Sequence, residues 1–206
     1  MTSEWRPSGA KGSLEALCSI TKRACDLLTP MIVSFYEAIN SKDTSSETSS
    51  STVTQKADKS IFTIADGIVQ HLLVNHLYKE ANFNAIVGEE QCEVCLTKKP
   101  YTVDDLTIPD EFSELVEQTR DNIIQLATHL NECEMYSSLN IFIDPIDGTR
   151  EFSTAKGEQC SVCVGFSNAA GAPVAGVVYR PITNPPTWAA GAALENYACA
   201  ELDMAD

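Results

Sequence analysis

Between Leu139 and Phe152 the chain reads Leu-Asn-Ile-Phe-Ile-Asp-Pro-Ile-Asp-Gly-Thr-Arg-Glu-Phe, and no other segment restricts the fold as tightly. A run of β-favouring apolar residues carries Asp144 to the end of a buried strand. Pro145 has no N–H to give to a sheet ladder, so pairing is expected to stop there. The chain then turns through Ile146, Asp147 and Gly148. The carboxylates of Asp144 and Asp147 can converge at such a turn, and a freed backbone carbonyl can join them. An all-oxygen donor set is hard-cation chemistry, with Mg²⁺ the natural occupant. Gly148 and Thr149 then offer backbone N–H groups at the start of a short helix, where an anion is favoured. The same residues also fit an Asp-Gly turn in which Asp144 only caps a helix.

Two further segments bear on that choice. Ala85-Ile-Val-Gly-Glu-Glu reads as a second short buried strand, ending in Glu89 and Glu90. If the two strands are neighbours, a carboxylate there reaches the same point; a solvated strand end is the plainer reading. In Thr63-Ile-Ala-Asp66, Thr63 fits an N-cap and Asp66 the N3 position, which would explain Asp66 by capping alone. A functional Asp66 would instead orient a water or a hydroxyl.

Around these segments the chain divides by composition. Residues 1–12 are expected to be a flexible N-terminus and 13–190 an α+β domain. Apolar residues at helical spacing from Ser13 to Ser41 predict a helix kinked or broken at Pro30. The Ser/Thr-rich stretch 41–54 is expected to be a mobile loop, and helical periodicity resumes at Ala65. An insertion, 91–138, holds a helix from Pro109 to about Asn131. Residues 161–167 and 174–180 flank a Gly-containing loop and predict a hairpin. Helices followed by locally paired strands argue for α+β rather than repeated βαβ units.

A formal charge of −15 repels phosphate backbones and anionic lipid, which excludes unspecific nucleic-acid and membrane binding. The first residues lack the apolar core of a secretory signal, so a cytoplasmic location is expected. The eight cysteines are then reduced thiols rather than a disulfide framework. Two pairs have Cys-x-x-Cys spacing, Cys92/Cys95 and Cys160/Cys163. The second pair reads as part of a strand, where positions i and i+3 face opposite ways, so those sulfurs do not share a zinc ion.

The set Asp66, Gly88-Glu89-Glu90 and Asp144-Pro-Ile-Asp147-Gly-Thr149 resembles the lithium-sensitive, magnesium-dependent phosphatases. That superfamily includes inositol monophosphatase, inositol polyphosphate 1-phosphatase, fructose 1,6-bisphosphatase and the 3′(2′),5′-bisphosphate nucleotidases. Gly-Thr-Arg-Glu-Phe, Gly157-Glu and Gly176-Val-Val-Tyr-Arg-Pro look most like the nucleotidase branch. The resemblance implies a layered helix/sheet sandwich and a phosphomonoesterase acting on a small phosphorylated metabolite. Its foremost substrate would be 3′-phosphoadenosine 5′-phosphate, with inositol (poly)phosphates the rival. It further implies that Glu89, Asp144 and the Ile146 carbonyl hold a first Mg²⁺, that Asp144 and Asp147 contribute to a second, and that Glu89 touches a third. Asp66 and Thr149 would help deprotonate the attacking water, and the amides of Gly148 and Thr149 would hold the phosphate. The haloacid-dehalogenase motif, Asp-x-Asp-Gly-Thr, is one residue shorter than Asp144-Pro-Ile-Asp147 and does not fit.

The family carries another metal-ligating Asp beside a Trp, and neither Trp5 nor Trp188 is followed by Asp. The chain is therefore expected to hold the N-terminal half only, with residues 191–206 a truncated tail. One well-formed Mg²⁺ site is expected, together with an uncovered apolar face and possible homo-oligomerisation. Asp203 or Asp206 is the candidate replacement ligand, and a fragment that binds metal or a partner without turnover is the non-enzymatic alternative.

Overall fold

A computed structural model of the chain describes residues 6–40, 51–130 and 133–201. Helix α1, Leu14–Asn40, presents Leu17, Cys18, Ala24, Leu28, Met31 and Phe35 as one buried stripe. It passes through Pro30 without ending, so of the expected kink or break there is no break. Proline removes one intrahelical bond there, and both halves of the helix keep their packing partners. Just before it, Thr29 Oγ1 donates to the Cys25 carbonyl at 2.9 Å.

Helix α2, Ser51–Leu72, begins before the expected Ala65. Of the predicted loop 41–54, residues 41–50 lie outside the described residues, and 51–54 form the first turn of α2. Thr63 and Asp66 are consequently inside a helix, and Asp66 caps nothing. A π-helical turn, Leu73–Tyr78, and a 3₁₀ turn, Lys79–Ala81, follow. They seat Tyr78 in the core, where its hydroxyl bonds Thr21 Oγ1 at 2.7 Å.

Strand β1, Ala85–Gly88, precedes a small antiparallel sheet of β2, Val94–Cys95, β3, Thr102–Val103, and β4, Leu106–Thr107. Helix α3, Asp110–Ala127, starts directly after Pro109 and packs on α1. Then come β5, Leu139–Asp147, the short α4, Thr149–Phe152, and strands β6, Ser161–Asn168, β7, Pro173–Arg180, β8, Thr187–Ala192, and β9, Tyr197–Glu201.

The main sheet has the order β1-β5-β6-β7-β8-β9, with β1 parallel to β5 and every other pair antiparallel. The predicted β6–β7 hairpin is present. Helices α1 and α2 cover one face, burying Ile141, Ile143, Val164, Phe166, Val177 and Tyr179. On the other face Val87, Phe142 and Val178 are exposed beside Cys163, Gly165, Gly176, Ala189 and Gly191. The fold is α+β.

Both chain ends depart from expectation. Residues 191–201, read as a tail, complete β8 and add β9 to the sheet; Asp203 and Asp206 lie outside the described residues. Residues 6–12 are docked, with Ser8 N–H on Ser19 Oγ at 3.1 Å and Cys133 Sγ on the Gly12 carbonyl at 3.5 Å. The Glu195 carboxylate accepts the N–H groups of Leu14 at 2.9 Å and Glu15 at 2.8 Å, closing the first turn of α1.

Candidate active site

The parallel pairing of β1 with β5 explains why the acidic groups meet. Gly88 lies opposite Ile143, and the Glu89 N–H donates to the Ile143 carbonyl at 3.0 Å as the last rung between them. Glu89 and Asp144 therefore leave the C-terminal ends of adjacent strands side by side. Beyond Asp144 the β5–β6 ladder loses register, pairing Asp144 with Cys163 and Asp147 with Ser161. That irregularity skips Pro145 and Ile146, as a proline inside a strand requires. The strand is nevertheless longer than expected, because pairing resumes at Asp147. The Ile146 side chain is buried in the core.

Gly148 has φ of +93°, a left-handed conformation that favours glycine, and it turns the chain into α4. A Cβ added there would sit 3.3 Å from Cys160 Sγ, and that thiol already donates to the Gly148 carbonyl at 3.2 Å. Thr149, the first residue of α4, is exposed. Cys160 is buried beneath the turn, whereas Cys163 lies toward the open sheet face, so the two thiols point apart.

Asp66 approaches from α2 and is 5% exposed. Among the described residues its Oδ1 is buried with no hydrogen-bond partner, while the carboxyl group shares a hydrogen bond with Glu90. Burial, then the charge of Glu90, that hydrogen bond, and the charges of Asp144 and Glu89 push the Asp66 carboxyl up to about 8. Asp144 rises to about 7 through burial first, then the charge of Glu89 and its hydrogen bond, then Asp147 and Glu90. Five carboxyl groups thus interact around one point.

They do not form the ready-made cation site expected from the sequence. Among the described residues, no three or more Asp, Glu, His or Cys side chains stand as an ion cage. The carboxyls are instead joined in twos, Asp66 with Glu90 and Asp144 with Glu89. Burial and the neighbouring negative charges make the Asp66 and Asp144 carboxyls hold a proton more readily than ordinary acids. No hydrogen bond joins Thr149 to Asp66 among the described residues.

The donor set still suits a hard divalent cation. It is all oxygen, its charges are mutually repulsive, and one buried oxygen lacks any partner. Two contributors have no assigned role in the sequence, where Glu90 is only the second acid of a strand end. Glu90 bonds Asp66, and Gln70, one helical turn beyond Asp66, bonds the backbone of Glu90. The i, i+4 spacing of Asp66 and Gln70 on one helix face is the only sequence signal for the latter.

The chain has relatives among known proteins. The inositol monophosphatase family model matches residues 17–202. A 3′(2′),5′-bisphosphate nucleotidase 1 from Dictyostelium discoideum is 33% identical over 123 residues, which cover 59% of this chain and 35% of that protein. The match thus spans about a third of the relative's length.

Proposed function

Because the chain belongs to the inositol monophosphatase family, we propose that it is a metal-dependent phosphomonoesterase whose substrate is 3′-phosphoadenosine 5′-phosphate, hydrolysed to AMP and phosphate. The observation that carries this is the placement of Glu89 and Asp144 side by side at the ends of two adjacent parallel strands, with Asp66 approaching from α2 and its Oδ1 buried and unpartnered among the described residues. The substrate class rests on the nucleotidase relative.

Glu89, Asp144, Asp147 and the Ile146 carbonyl would hold Mg²⁺. The bound cation supplies Lewis acidity and the positive charge that lets an acidic site accept a phosphate ester. The remaining work belongs to the chain. The amides of Gly148 and Thr149 orient the phosphoryl group toward the carboxylates. With the cation bound and Asp66 ionised, its Oδ1, unpartnered among the described residues, would take a proton from the attacking water. That water attacks phosphorus in line with the ester oxygen, which leaves with the electron pair and is protonated from solvent. Thr149, exposed at the start of α4, would help orient the attacking water.

Phosphate release from 3′-phosphoadenosine 5′-phosphate and from inositol 1-phosphate, with Mg²⁺ and with a chelator, tests this. Mg²⁺-dependent release with preference for the nucleotide is expected, and Asp66→Asn should lower turnover about 10²–10⁴-fold. Preference for the inositol ester would move the assignment to the other branch. A folded, Mg²⁺-loaded chain that releases phosphate from neither would leave a metal-binding protein without this activity.

A further inference from the structure

The strand that supplies Glu89 ends at Gly88, so the next residues have no sheet partner to fix their direction beyond the single rung from Glu89 to Ile143. Helix α2 provides what the ladder lacks. Gln70 Nε2 donates to the Glu90 carbonyl at 2.7 Å, and the Glu90 N–H donates to Gln70 Oε1 at 2.8 Å. The side-chain amide thereby satisfies both backbone groups of one residue, as a neighbouring strand would. It also lies flat over Gly88: a Cβ there would come 2.6 Å or less from the Gln70 amide, which no side chain can accept without expelling it. Gly88 and Gln70 are two halves of one contact.

That contact sits between the acid pairs. Glu89 bonds Asp144 and Glu90 bonds Asp66, and Gln70 grips the backbone of Glu90 between them. Asp66 and Gln70 share one helix face a turn apart, so the same rigid segment sets the position of Asp66 and of Glu90.

We propose that Gln70 is a positioning residue: its amide clamp on the Glu90 backbone fixes how the chain leaves β1 and so holds the neighbouring Glu89 toward Asp144 on the cation side of the site. The inference rests on the reading of these carboxylates as a Mg²⁺ site, and it assigns Gln70 no contact with substrate or metal. Groups that orient metal ligands from outside commonly change affinity by about 10–100-fold when removed.

The test compares Mg²⁺ affinity by calorimetric titration with the amide exchange of Glu90 by NMR, in wild type, Gln70→Met, Gly88→Ala and Gln70→Ala/Gly88→Ala. Methionine keeps the length of the side chain and removes both bonds. In Gln70→Met, Mg²⁺ binding should weaken about 10–100-fold, and the Glu90 amide should exchange about tenfold faster while core amides keep their protection. Gly88→Ala should do the same by expelling Gln70. In the double variant, adding Gly88→Ala to Gln70→Ala should cause almost no further loss, because the new Cβ enters vacated space. Wild-type Mg²⁺ binding that Gln70→Met leaves within twofold would overturn the clamp alone. Additive losses in the double variant would overturn the shared contact. Wild type that takes up no Mg²⁺ would overturn the reading of the site, and the metal half of this inference with it.

Discussion

The two faces of the main sheet are made from similar residues and have opposite fates. Toward the helices, Ile141, Ile143, Val164, Phe166 and Tyr179 are at most 3% exposed. On the reverse side Val87, Phe142 and Val178 are 46–48% exposed, and the spaces between them are lined by glycine, alanine and Cys163. A solvated face of an antiparallel sheet usually alternates polar with apolar positions, whereas near-continuous apolar strands belong to sheets covered on both sides. Strands β5 to β8 follow the second pattern while only one face is covered. The covered face therefore carries the folding energy, and the open one carries surface suited to contact. The acidic centre sits where the parallel edge of this sheet meets α2, and it draws on both.

The largest expected effect is on the covered face. Phe166→Ala removes a ring buried to 1% exposure and should cost about 3–5 kcal/mol in urea denaturation. A loss below about 1 kcal/mol would mean that the two faces are energetically alike. Next is the acidic centre. Saturating Mg²⁺ should stabilise the protein by about 2.7 kcal/mol at a hundredfold excess over the dissociation constant. Asp144→Asn should abolish that shift in Tm, and an undiminished shift would put the ion elsewhere.

A smaller effect concerns the helical layer. Burial first, then the neighbouring charges of His76 and Lys79, lower His71 from 6.5 to about 4. Between those values the unfolded chain binds the proton and the folded one does not, so stability rises with pH across the window. It is lost as pH falls from 6.5 toward 4. His71 is partly solvated, so the effect is discounted to about 1 kcal/mol. The raised carboxyls of Asp66 and Asp144 work in the opposite sense across this window. His71→Gln should therefore shift the slope of stability against pH between 4.5 and 7 toward negative values relative to wild type; an unchanged slope would show that His71 does not contribute. The smallest effect is on the open face. Phe142→Thr and Val178→Thr should each change stability by about 0.5 kcal/mol or less while reducing self-association in sedimentation. A large loss of stability would show that this face is part of the core.

Much of this could be read from the residues because local chemistry enforced it. Pro145 does break the ladder register, Gly148 does need a left-handed turn, and the acids at the ends of β1 and β5 do meet. Other features depended on partners distant in sequence. Ser and Thr cost a helix only a few tenths of a kcal/mol each, so composition alone could not show that α2 begins at Ser51 and makes Asp66 an interior residue. Tyr197–Glu201 has no β-branched residue, and its strand character comes from pairing with β8. The pairing of acids by shared hydrogen bonds, and the Gln70 clamp across twenty positions, are tertiary facts with no local signature.

The carboxylate of Glu195 on the first turn of α1 joins groups 181 and 180 positions apart. During synthesis α1 is made first, and at about 5–20 residues per second its cap follows only after about 10–40 s. Over that interval only the local Ser13 side chain, accepting the Ala16 N–H at 3.0 Å, caps the helix start, and the stripe from Cys18 to Phe35 has no β7 or β8 to cover it. Contacts of such long sequence separation are closed late and slow the approach to the native state. The nascent chain thus waits for its last strands before its first helix is secured, and the exposed α1 stripe is the surface a chaperone would meet.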